Sequence, residues 1–270
     1  MAHHHHSPED SLGELLDLDA EVLHEYRSSL FAWIHELTAP RYRIADLGAG
    51  TGTGTFALAE HFGEAEITAV DVDQAMLDHL RHRAHGLGDR IHTLRADLDA
   101  GWPALGEIDL VWAANSMHHM AEPDRVLADI FGALRPDGVL VVAEIDSFPR
   151  FLAAAGAQTA AVEERCHVAL RELRAHDMPE MGADWGARLR RTGFAIQAER
   201  SFTLALTAPV PPATGRYARL SLSRMRAGLD GRVEAADLAA LDSLLPGIEE
   251  RDDLTVRAER TVWVARRPLG

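Results

Sequence analysis

The sequence contains no lysine, and all 27 of its Lys and Arg residues are arginine. This excludes a Schiff-base lysine, a P-loop lysine and a kinase-type lysine together. Cysteine is almost absent. Cys166 stands alone, so the chain can form no internal disulfide and no cysteine-based zinc or iron–sulfur site. Such usage fits a reducing compartment, and a cytoplasmic location is the expectation. No apolar run approaches the roughly 20 residues that span a bilayer, and the N-terminus shows neither the basic nor the apolar stretch of a secretory leader. Basic charge is also scarce: 27 basic against 42 acidic residues leave a net charge of −15. A field of that sign repels phosphate backbones and anionic lipid heads, so neither nucleic acid nor a membrane is an expected partner.

What is present is enough apolar sequence for a large core, 47% of 270 residues. The run His3–His6 reads as a tag-like tail over residues 1–10 and is set aside. Leucines and aromatics from Leu12 to Leu37 fall at helical spacing, which predicts a two-helix cap over 11–40, broken near Asp17–Asp19 with Asp19 capping the second helix. From Arg41 to Ile145 short apolar runs alternate with helical stretches. The runs begin at Ile44, Ile67, Ile91, Ile108 and Val139; the helices are expected at 53–61, 74–84 and 123–134, with a turn at 134–138. Strands separated by helices require crossovers and therefore a parallel sheet covered on both faces. Helical sequence then returns at 150–180 and 209–250, between and before two further strands near 194–207 and 254–264. The expected organisation is one domain over 41–270 with these two helical insertions.

The chemical signal lies where the first strand meets the first helix, in Asp46-Leu47-Gly48-Ala49-Gly50-Thr51-Gly52. Glycines there permit a tight turn and close approach of a ligand to the backbone. The sixth place counted from Gly48 is Thr53 rather than glycine, and an acid precedes the loop. A diphosphate favours a helix N-terminus without a neighbouring carboxylate, so the loop suits a cationic ligand better than a nicotinamide dinucleotide. Asp71 ends the second strand, where an acid can accept ribose hydroxyls. Asp97, followed by Leu98, ends the third, where a carboxylate can accept from an exocyclic amine beside an apolar ring contact.

A glycine loop and two acids at successive strand ends resemble the class I S-adenosylmethionine-dependent methyltransferases. The resemblance is close over Arg43–Ile145 and looser in the last two strands. It implies an α/β fold: a doubly wound, Rossmann-like, seven-stranded, mostly parallel sheet with helices on both faces, the last strand antiparallel and helical cap segments added. It also implies S-adenosylmethionine as cofactor. On this resemblance Gly48, Ala49, Gly50 and Gly52 would pass under the methionine moiety, Asp46 would orient its amine, Asp71 with Val72 would hold the ribose, Asp97 with Leu98 would read adenine, and Asn115 would close the cofactor segment after the fourth strand.

Methyl transfer from a sulfonium is an in-line displacement, so the protein chiefly positions a nucleophile and, where needed, removes its proton. His119 and Glu144 are the candidate catalytic residues; Asp146 is a further substrate contact. The adjacent pair His118–His119 is not expected to bind a metal, since neighbours on an extended segment point opposite ways. The expected activity is methylation of the oxygen or nitrogen of a small-molecule acceptor, whose pocket would be built by the N-terminal helices and the two insertions. A homodimer stays open. The rival readings are a nicotinamide-dependent oxidoreductase and a non-catalytic S-adenosylmethionine-binding protein.

Overall fold

The computed structural model describes residues 8–38, 42–86 and 89–269, without the side chains of 8–11. The His3–His6 run therefore lies outside the described residues. In chain order the elements are α1 (Pro8–Val22), α2 (His24–Thr38), β1 (Arg43–Leu47), α3 (Thr53–His61), β2 (Glu66–Asp71), α4 (Gln74–Ala84), β3 (Ile91–Arg95) and β4 (Ile108–Ala114). They continue with α5 (Pro123–Ala133), β5 (Leu134–Arg150), α6 (Ala157–Asp177), α7 (Trp185–Thr192), β6 (Ala195–Leu206), α8 (Thr214–Gly228), α9 (Ala235–Leu244) and β7 (Val256–Arg266).

The strands form one seven-stranded sheet in the order β3-β2-β1-β4-β5-β7-β6. Pairs β1–β2, β2–β3, β1–β4 and β4–β5 are parallel. β7 runs against β5, because Asp137 and Gly138 bond to Arg267 at one end while Phe151 bonds to Thr255 at the other. The strand order reverses between β1 and β4, and open α/β sheets bind ligands outside the carboxyl ends at such a reversal.

Contacts divide the chain into two compact units. One holds Glu25–Glu144, Gly182–Ser201 and the described part of Thr261–Gly270. Its core joins Leu47, Val111, Leu127, Val142, Trp185 and Trp263, all nearly inaccessible. The other holds the described part of Met1–His24 with Ile145–Met181 and Phe202–Arg260. Its own interior includes Phe151, Cys166, Tyr217, Leu222 and Leu241. The second N-terminal helix was expected to belong to a separate cap. From Glu25 onward it belongs to the sheet unit, because Phe31, 1% exposed, packs its ring 4.8 Å from that of Trp112 on β4.

Three further expectations are corrected. Residues 8–10 were assigned to the tail and are the start of α1. The break between the N-terminal helices is at Leu23, not at Asp17–Asp19. Asp19 does not cap α2: it sits inside α1 and accepts from the Tyr217 hydroxyl and from Arg260 Nη2, both at 2.6 Å, where a charged acceptor with buried donors outweighs a local capping bond. The link from β3 to β4, residues 96–107, runs without a helix, as no helical period there requires one; Trp102 and Leu105 cover the core from a stretch that Gly101, Pro103 and Gly106 keep from coiling. The turn at 134–138 is retained as an irregularity at the start of β5, with Asp137 at φ 66°.

Candidate functional site

The loop after β1 owes its shape to its glycines. Gly48, Gly50 and Gly52 have φ of 68°, 53° and 86°, a region open to glycine and strained for other residues. At Gly48 space is decisive as well, since a Cβ there would lie 2.4 Å from Cβ of Ser116, the residue following Asn115 beyond β4. The loop and the β4 end therefore touch directly at the reversal of the sheet. Asn115 itself adopts φ 53° and donates its backbone N–H to Ala143.

Three side chains hold the loop from outside. The Asp71 Oδ2 atom accepts the Gly50 N–H at 2.8 Å, while Oδ1 accepts the N–H of Asp73 at 2.9 Å. Arg27 on α2 donates to the Thr53 carbonyl at 2.6 Å, and Arg83 on α4 to the Thr51 carbonyl at 3.2 Å. Gly48 and Ala49 both donate to Val70. Asp71 is half-buried, and its two oxygens retain lone pairs beyond the two backbone bonds.

Asp46 departs from the expected direct contact with a ligand. Its carboxyl is 2% exposed beneath the loop, accepting from Thr55 Oγ1 at 2.6 Å. Burial pushes its pKa up to about 7, the nearby Asp71 pushes in the same direction, and the Thr55 bond and the Arg27 charge oppose them. A cation above the loop would feel this group through the backbone. Gly54 is the residue that makes room for it: a Cβ at that position would fall 2.7 Å from Trp112 Nε1 and 3.1 Å from Asp46 Oδ2.

The other sequence candidates are placed as follows. Asp97 is exposed, with Oδ1 accepting the Asp99 N–H, and Leu98 beside it is buried. Arg125 anchors this turn by donating to the Leu98 and Asp99 carbonyls at 2.9 and 2.8 Å. Val72 is 57% exposed. The short 3-10 turn Met117–His119 follows β4. Glu144, expected as a catalytic or substrate-facing acid, is buried and engaged: it accepts the Met117 N–H at 3.0 Å and pairs with the His118 ring. It thus fixes the turn that carries His119. His119 is exposed, its ring 4.2 Å from that of His118, and its pKa is lowered by partial desolvation and by His118, against a raising influence of Asp71. A neutral imidazole at neutral pH can accept a proton. Among the described residues no cluster of three or more His, Cys, Asp or Glu suits a metal.

Sequence reasoning missed Arg27, Arg83, Thr55, Trp112 and Ser116. Ser116 alone carried a signal, directly after Asn115. Its Oγ is buried without a hydrogen-bond partner beside Gly48, a polar atom left for something in the crevice. Half-buried carboxylate, orphan hydroxyl and glycine backbone suit a ligand bearing hydroxyls and positive charge and offer nothing for a diphosphate.

Residues 44–138 match the methyltransferase domain family. Over that segment the chain is similar to this family, in keeping with the resemblance carried by its glycine loop and strand-end acids. It is 32% identical over 161 residues to the malonyl-[acyl-carrier protein] O-methyltransferase of Laribacter hongkongensis, covering 57% of this chain and 50% of that protein. To the trans-aconitate 2-methyltransferase of Delftia acidovorans it is 35% identical over 129 residues, covering 42% and 47%. The chain spans about half the length of these two relatives. In fold it is similar to the [4+2]-cyclase SpnF, with a TM-score of 0.53 at 21% identity over 90% of this chain and 82% of that one. No helix among the described residues is long and apolar enough to cross a membrane.

Proposed function

We propose that the chain binds S-adenosylmethionine across the carboxyl ends of β1 to β4 and transfers its methyl group to an oxygen or nitrogen of a small molecule. The observation that carries this reading is Asp71: a half-buried carboxylate at the end of β2 that already grips the glycine loop through Gly50 and keeps lone pairs for a ribose diol. When bound, the cofactor supplies an activated methyl on a sulfonium. The chain's own residues position and neutralise. Gly48, Ala49, Gly50 and Gly52 give close backbone approach, Asp46 below the loop favours positive charge above it, Asp71 with Val72 holds the ribose, and Asp97 with Leu98 receives the adenine. Asn115 and the Ser116 hydroxyl line the β4 side.

For the acceptor, His119 is the proton-accepting group: exposed, of lowered pKa, and held on a turn that Glu144 anchors. Glu144 acts through His118 and the Met117 N–H and is a positioning residue. That the two curated relatives are named for small acceptors, one of them carried on a protein, supports a small-molecule substrate. The [4+2]-cyclase shows that this fold is not confined to methyl transfer, so the test separates binding from turnover. Wild-type protein is incubated with methyl-labelled S-adenosylmethionine and a panel of small carboxylates, amines and phenols, and products are sought by mass spectrometry. A labelled product that disappears in the Asp71→Ala variant is expected. Tight cofactor binding with no label transferred to any acceptor would favour the non-catalytic reading.

A further inference from the structure

The unit formed by α1, α6, α8, α9 and the ends of β5 to β7 is acidic overall, yet it gathers arginines locally on α6 and α8. On α6, His167, Arg171 and Arg174 follow one another at spacings of four and three, so they share one face. His167 feels Arg150, Arg174 and Arg171, and Arg174 feels Arg224 on α8. Three guanidinium groups thus act on one imidazole, and a fourth acts on Arg174. Arg150 is paired with Glu164, and the neighbouring acid Glu163 is committed to the backbone N–H groups of Phe151 and Leu152 at 2.8 and 2.9 Å.

Polar atoms in this cluster are left without partners. His167 is 8% exposed, and its Nε2 is buried with no hydrogen bond. The Nη1 atom of Arg174 is likewise buried and unsatisfied. So is the Ser221 hydroxyl, one turn before Arg224 on α8. Leaving buried donors unmet is costly, and native interiors rarely do so without a reason. The Arg174 guanidinium lies 3.4 Å from the centre of the Phe148 ring, which fixes its plane and leaves its N–H edge as the reactive direction. An arginine edge, an imidazole nitrogen and a hydroxyl are donors suited to a tetrahedral or planar oxyanion, and an anion would also relieve the repulsion among the arginines.

We infer that this cluster is a binding site for the oxyanion of a small molecule, a carboxylate or a phosphate, with Arg174, His167 and Ser221 as its donors and Arg224 and Arg171 as its surrounding charge. The site stands independently of the methyl-transfer reading.

The test uses the full chain without cofactor, titrated with inorganic phosphate in one arm and succinate in the other, and follows the ring nitrogens of His167 by NMR. A saturable shift of Nε2 is expected with at least one anion, and the arm that gives it identifies the chemistry. In Arg174→Gln the dissociation constant should rise about tenfold or more, as loss of a charge-assisted bond implies. In Arg226→Gln, whose guanidinium is held by Asp230 and Asp242 elsewhere on α8, it should not change. Absence of a saturable shift with both anions overturns the inference, as does equal affinity in wild type and Arg174→Gln. Should Arg174→Gln fail to fold, the wild-type His167 titration decides alone.

Discussion

Replacing Asp46 by asparagine isolates the electrostatic cost of burying an acid under the glycine loop. The native pKa of about 7 stands above the ordinary value of 3.8. An acid with a raised native pKa contributes most to stability below its unfolded pKa, and that contribution is lost as pH rises through the native value. The window therefore runs from about pH 4 to about pH 7. A displacement from 3.8 to about 7 amounts to about 4 kcal/mol at its full extent. The Asp46→Asn side chain can still accept from Thr55 Oγ1 but has no charge to bury. Chemical denaturation of both proteins at about pH 4, 5.5 and 8 should show the variant gaining on wild type by several kcal/mol as pH rises. Other titrating groups, which are common to both proteins, cancel in the difference. A stability difference that does not change with pH would show that Asp46 is not the buried, protonating group described.

Further outcomes follow from the same geometry. Gly48→Ala must place a methyl 2.4 Å from Ser116 Cβ at a φ of 68°, and should cost about 1–3 kcal/mol in urea unfolding; an unaltered midpoint would contradict the packing of loop against β4. Phe31→Ala, removing a ring 1% exposed against Trp112, should cost about 3–5 kcal/mol and establish α2 as part of the sheet unit's core. His167, its pKa lowered to about 4 by burial first and the surrounding arginines second, withdraws stability as pH falls from about 6.5 towards 4, by about 3 kcal/mol in all. That slope should vanish in His167→Gln.

How much was legible in the sequence depended on how local the decisive interaction is. α3 and α4 run over 53–61 and 74–84, as their periodicity predicts, because Gly52 at φ 86° and the Asp73 cap set their starts from within a few residues. The glycine loop and Asp71 were readable for the same reason, since the bond from Gly50 to Asp71 joins two neighbouring strand ends. Asp19 was misread because its partners are 198 and 241 residues away along the chain. Glu144 follows an apolar strand, which resembles a crevice acid; only the return of the Met117–His119 turn shows that both its oxygens are taken. Arg27 and Arg83 were invisible because arginine on an amphipathic helix ordinarily denotes solvent, whereas here each caps a loop carbonyl.

The central claim is that the crevice at the ends of β1 to β4 is built for S-adenosylmethionine, and calorimetric titration of the wild-type chain tests it most directly. Saturable binding of S-adenosylmethionine and of its demethylated product is expected, with no binding of a nicotinamide dinucleotide. Affinity should fall by about 2 kcal/mol in Asp71→Asn, which keeps the side chain's size but removes its charge. Tight binding of the dinucleotide with none of the sulfonium, or equal sulfonium affinity in wild type and Asp71→Asn, would contradict the account.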